Sequence, residues 1–191
     1  MNVKYDNGKM YETKFNAKTK RHESTGKEYT GGGYIKGVAK AIDFIKSSDS
    51  KAAQVIDKLE SSESTHTIGN FGRTKDKGSI NLSSDLGTHT KFTPDEDNPE
   101  FLPVATLAHE LKHAYNTDIK ESNKNEMMPN TNNKNFNYEE GDAVNFQNLI
   151  HAAKGIAPRT KYGEYDLEKN KILRTPEEYK IRPSENAYKK Q

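Results

Sequence analysis

Apolar positions recur along this chain with two different periods, and the periods sort its elements. Over residues 1–33, the alternation in Val3-Lys-Tyr5-Asp-Asn7-Gly8-Lys-Met10-Tyr11 surrounds an Asn-Gly pair. That predicts a β-hairpin, because both residues tolerate the positive φ of a tight turn. A second hairpin is expected between Phe15 and His22, turning at Asn16-Ala17 or Ala17-Lys18, with residues 30–33 as a hinge. From Tyr34 the spacing changes to three and four through Val38, Ile42 and Ile45, predicting an amphipathic helix that ends near Ser47 and Ser48. Residues 52–59 repeat that pattern as a second helix, and residues 65–68 and 78–83 read as short strands.

The strongest pattern runs from Leu102 to Tyr115. At about 100° per residue, Val104, Leu107, Ala108, Leu111, Ala114 and Tyr115 gather on one side, while His109 and His113 lie about 40° apart on the other. A core face and a histidine face are therefore expected on one helix. Asn98 capping Pro99, or Pro103 in the first turn, would start it, and it should end around Asn116 to Asp118. Residues 121–136, rich in Asn, Lys and Glu, read as a loop. Residues 137–151 then form another helix with an acidic first turn.

A chain of 191 residues is long enough for one domain with a real core. Only 31% of its residues are hydrophobic and its mean hydropathy is −1.07, so that core should be small and decorated with polar segments. The expected division is an N-terminal β-hairpin leader (1–33), a central domain (34–157) and a polar C-terminal extension (158–191) in which no motif is visible. The net charge of +2 gives no reason to expect nucleic acid or a membrane surface as the partner. Absence of cysteine excludes disulfides and thiolate metal ligands. No run of about 18 apolar residues occurs, and the polar start lacks the apolar region of a signal peptide.

The chemistry is concentrated in His109-Glu110-Leu-Lys-His113. Two imidazoles one helical turn apart can reach one Zn²⁺, and Glu110 beside them is free to act as a base on water. A third ligand has to come from elsewhere. Asp118 is about 140° around the helix from His113, toward the core face, so it fails. In the next helix Glu140 is the predicted ligand, because small Ala143 and Val144 one turn on permit close packing against the first helix. Glu139 remains a candidate, and both acids would in any case stabilise a helix N-terminus. His151 shares the angular face of Glu140 but lies roughly 16 Å along the axis, too far for the same ion. A Tyr or His is expected to stabilise the oxyanion; ten tyrosines single none out, and Tyr115 is on the core face.

His109-Glu-Leu-Lys-His113-Ala-Tyr115, followed after a polar loop by Asn-Tyr-Glu139-Glu140 and Ala143-Val144, resembles the effector-type zincins of bacteria, including the NleD-like proteases. Similar domains end Rhs/YD-repeat toxins, and Tyr5-Asp-Asn-Gly-Lys-Met-Tyr11 and Gly26-Lys-Glu-Tyr-Thr-Gly-Gly-Gly33 are similar to the segments that lead into them. The resemblance covers about residues 65–155. It implies an α+β, zincin-like fold with a small mixed or antiparallel sheet, an active-site helix and a second helix carrying the third ligand. In zincins the strand before the active-site helix usually borders the cleft, which would make residues 78–83 an exposed edge able to pair with an extended peptide, the alternative being a buried strand. The implied activity is that of a Zn²⁺-dependent endopeptidase, with His109, His113 and a downstream acid as ligands. Its substrate would be a protein in a target cell, reached by a specialised secretion system, and a cognate immunity protein is a further expected partner. Two other classes stay open: a zinc-stabilised binding module and a metal-free helical interaction protein.

Overall fold

Helix α1 (Tyr34–Ser48) forms where the three-and-four spacing predicts, and it buries Val38, Ile42 and Ile45. It ends at a serine pair whose hydroxyls turn back to the carbonyls of Phe44 (3.0 Å) and Ile45 (2.7 Å). Such local bonds compete with further helix. Asp49 then caps α2 (Ser50–Glu60), its carboxylate accepting the Lys51 N–H at 2.7 Å. Lys46 ties the two helices together through Asp57 (2.6 Å) and Glu60 (2.8 Å).

This computed structural model describes residues 3–6, 8–31, 34–62, 64, 66–69, 80–84, 89–92, 103–119, 137–163 and 165–181. Within them the fold is α+β, with four helices and small antiparallel sheets. Strands β1 (Val3–Asp6), β2 (Lys9–Asn16) and β3 (Arg21–Glu28) form one sheet in that order. Gly8, at φ +82°, supplies the left-handed turn between the first two. The second turn falls at residues 17–20, with Asn16 opposite Arg21. Tyr5 and Met10 pack on the core, and the Tyr5 hydroxyl donates to Asp43 of α1 at 2.6 Å.

A second sheet has the order β4 (His66–Gly69), β5 (Ile80–Ser84), β6 (His89–Phe92). The expectation that residues 78–83 provide an exposed edge is corrected here. β5 runs beside α3 as the central strand, paired on both sides, so its backbone cannot take up a peptide. The physical reason is β6, a four-residue segment too short for its alternation to stand out.

Helix α3 (Pro103–Asp118) carries the two histidines and opens at Pro103, where the missing N–H costs nothing. Helix α4 (Tyr138–Ala153) starts at Asn137, whose side chain accepts the Glu140 N–H at 3.0 Å. α3 and α4 form the largest helix–helix contact. Their apolar residues join those of α1 and α2 in one core with Leu107, Leu111, Tyr115, Phe146 and Ile150. Each such side chain contributes about 1.5–3 kcal/mol by leaving water. Beyond α4 the chain doubles back as a two-stranded hairpin, β7 (Lys161–Tyr162) and β8 (Tyr165–Asp166), and Tyr179 enters the core against Phe146. The loop expected over residues 121–136 lies outside the described residues.

Candidate metal centre

α3 is buried on its histidine face as well as on its core face: His109, Glu110 and His113 are only 5–6% exposed. The N-terminal turn of α4 meets the two histidines. His109 Nε2 and His113 Nε2 lie 3.1 Å apart, and Glu140 Oε2 is 3.2 Å from the first and 3.3 Å from the second. Two residues from one helix and one from its neighbour thus bring three donor atoms to a single point.

The spacing fits a metal ion. With bond lengths of about 2.0–2.2 Å, tetrahedral geometry separates two ligand atoms by about 3.3–3.6 Å. The observed triangle, with sides of 3.1–3.3 Å, is within a few tenths of an ångström of that. Neutral imidazole and carboxylate are also the donor types that Zn²⁺ accepts. Among the described residues, His109, His113 and Glu140 are the group of potential ligands that converges in this way.

Glu139 takes a different position. Its Oε1 is 3.2 Å from His113 Nδ1, on the far side of the ring from the triangle, and it is almost fully buried. A carboxylate behind a histidine orients the ring and raises its basicity. Electrostatics follow the same geometry. Burial opposes the charge on His113, but the hydrogen bonds to Glu139 and Glu140 outweigh it and push its pKa up to about 10. Burial likewise opposes ionisation of Glu140, and the contacts from His109 and His113 overcome it, holding this carboxyl well below the usual range. With Glu110, three buried or half-buried acids surround two imidazoles, and that concentration of negative charge favours a cation.

Glu110 Oε2 and His109 Nδ1 are buried with no hydrogen-bond partner among the described residues. Glu110 is nevertheless close enough for its charge to act on both His113 and Tyr162. Its neighbour Lys112 is completely buried and points the other way, toward Asn116 Oδ1 (2.8 Å) and Asp142 Oδ2 (3.2 Å).

The remaining candidates sit apart from the triangle. Asp118 accepts a hydrogen bond from Ser62 and lies 3.7 Å from His66. His151 faces the Ala157 carbonyl at 3.0 Å, and Tyr115 is in the core.

Sequence reasoning missed Tyr162 and Arg159. The ring of Tyr162 lies parallel to that of His109, 3° between planes and 6.1 Å between centroids. Its hydroxyl bonds to Glu140; burial first, then the Glu140 charge and that hydrogen bond, raise its pKa, so it stays protonated and donates. Gly163, at φ +57°, reverses the chain immediately after it. The Arg159 guanidinium stands 5.1 Å from the same ring. One signal could have found this segment. α4 buries Asn145, Gln147, Asn148 and His151, and a buried row of polar side chains requires partners.

No protein-family model matches the chain, and no curated protein or solved structure matches it either.

Proposed function

We propose that this protein is a zinc-dependent endopeptidase of the zincin type. One observation carries the proposal: His109, His113 and Glu140 present their donor atoms on a triangle of metal-ligand size, beside Glu110, whose Oε2 is buried with no hydrogen-bond partner among the described residues. A structural zinc site fills all four positions with protein ligands, whereas three converge among the described residues. Glu110 also has no use in a structural site.

His109, His113 and Glu140 would hold Zn²⁺, which supplies Lewis acidity and brings the pKa of water toward ~7. Glu110 Oε2 receives the proton of the attacking water and delivers it to the nitrogen of the leaving amine. Glu139 keeps the Nδ1 proton of His113 and so leaves the Nε2 lone pair directed inward. The Tyr162 hydroxyl, held protonated by burial and by Glu140, would turn from that carboxylate to donate to a carbonyl oxygen as negative charge grows on it. The resemblance to effector zincins makes a protein of a target cell the proposed substrate, and an immunity protein a proposed partner.

Comparing wild type with Glu110→Gln tests this. Both should carry about one zinc per chain by mass spectrometry, and new peptide termini should form in a treated lysate with wild type alone. Loss of the base should lower cleavage by about 10²–10⁴-fold. Near-normal cleavage by folded, metal-loaded Glu110→Gln would sink the role given to Glu110, and zinc-free wild type would sink the metal centre.

A further inference from the structure

His109, His113 and Glu140 are placed by two packed helices, whereas Tyr162 belongs to a two-residue strand that, among the described residues, pairs with its hairpin partner β8. Its position depends on α4 by another route. Asn148 Oδ1 accepts the Arg159 N–H at 2.7 Å, and Asn148 Nδ2 donates to the Arg159 carbonyl at 3.1 Å. This side-chain amide pairs with residue 159 as a neighbouring strand would. Asn145 repeats the device farther on, accepting from the Arg174 N–H at 2.7 Å and donating to the Ile172 carbonyl at 2.9 Å.

Both asparagines are buried, at 3% and 4% exposure. A slip of the C-terminal segment by one residue would strand an amide and two backbone groups in the interior, at about 1–3 kcal/mol for each group left unpaired. The register is therefore discrete. Arg159 is three residues from Tyr162, its Nη1 reaches Gln147 Oε1 at 3.4 Å, and its guanidinium lies over the Tyr162 ring, so an error at residue 159 passes directly to that ring.

We propose that Asn148 is a positioning residue of the metal centre: by pairing with both backbone groups of Arg159, it sets the register of the segment that lays Tyr162 against His109 and Glu140. The effect on metal binding rests on the ligand assignment above. The placement of Tyr162 does not, and the test separates the two.

Nuclear magnetic resonance of the metal-free full chain reads the placement, because the parallel Tyr162 ring shifts the ring protons of His109. Tyr162→Leu should move the His109 resonances. Asn148→Ala should move them in the same direction, leaving His22 and His66 unchanged, and the double variant should go no farther than Tyr162→Leu alone. Asn148→Asp keeps an acceptor for the Arg159 N–H while repelling its carbonyl. It should give a smaller shift and serves if Asn148→Ala does not fold. In zinc competition with a chelator, Asn148→Ala and Tyr162→Phe should each weaken binding about tenfold, without adding in combination. His109 resonances at wild-type positions in a folded Asn148 variant, or unmoved by Tyr162→Leu, would overturn the proposal. Wild type that binds no zinc would overturn the ligand assignment instead, with the resonance result still deciding the role of Asn148.

Discussion

His113 meets two carboxylates, and adjacent positions on α4 give them opposite roles. Glu139 and Glu140 diverge by about 100° around the helix, so one reaches the Nδ1 side of the ring and the other the Nε2 side. Glu140→Ala removes a donor atom from the triangle, whereas Glu139→Ala removes only the support of the ring. Zinc affinity, measured by competition with a chelator, should fall about 10–100-fold in Glu139→Ala and considerably further in Glu140→Ala. The reverse ranking would place Glu139 on the metal. From the sequence, small residues one turn on favoured Glu140, but they left Glu139 open. At Tyr162 local pattern offered nothing, because a tyrosine before a glycine turn looks the same whether it faces solvent or a histidine.

Between elements, the contact that matters most for the site is α3 against α4, and a buried charge pair lies within it. Lys112 Nζ is shared by Asp142 and Asn116, and it stands 4.5 Å from the centre of the Tyr115 ring. Lys112→Met would leave the Asp142 carboxylate partly buried without its cation, retaining the hydrogen bond from Asn116 Nδ2. Removing one partner of a fully buried pair costs about 3–5 kcal/mol. The Asp142 side chain is 18% exposed, so a loss of about 2–3 kcal/mol is expected, seen as a fall of about 4–12 °C in Tm. Adding Asp142→Asn should recover part of it, and an unchanged Tm in Lys112→Met would show that the pair contributes nothing. The helices themselves were legible because apolar spacing and caps such as Asn137 act locally. β5 was not placed correctly, because edge or centre is decided by what pairs with it.

For the molecule as a whole, bound metal should change how stability depends on pH. In the metal-free protein the His113 pKa rises from its ordinary ~6.5 to about 10. Its stabilisation is therefore complete below ~6.5 and disappears as pH rises through about 10. Glu140 is shifted down, so its contribution is present above its ordinary ~4.5 and disappears as pH falls toward its folded value. Metal-free protein should thus be most stable between about pH 4.5 and 6.5 and melt lower toward pH 10. Zinc-saturated protein should escape that alkaline loss, because the metal replaces the proton on His113. Zinc binding at pH 7 should accordingly release about one proton, measured by calorimetry in buffers of different ionisation enthalpy. Heats independent of buffer would show that His113 is already neutral. The sequence by itself determined the His-Glu-x-x-His spacing, the helices bearing the histidines and acids, and the first hairpin, since each depends on residues within one or two turns of each other. Only the tertiary structure decided that Glu140 closes the triangle, that Glu139 backs His113, that β5 is covered on both sides, that Asn148 pairs with Arg159, and that Tyr162 lies against His109. Those relations join segments far apart along the chain, and their placement comes from packing and the pairing of buried polar groups, which no local period encodes.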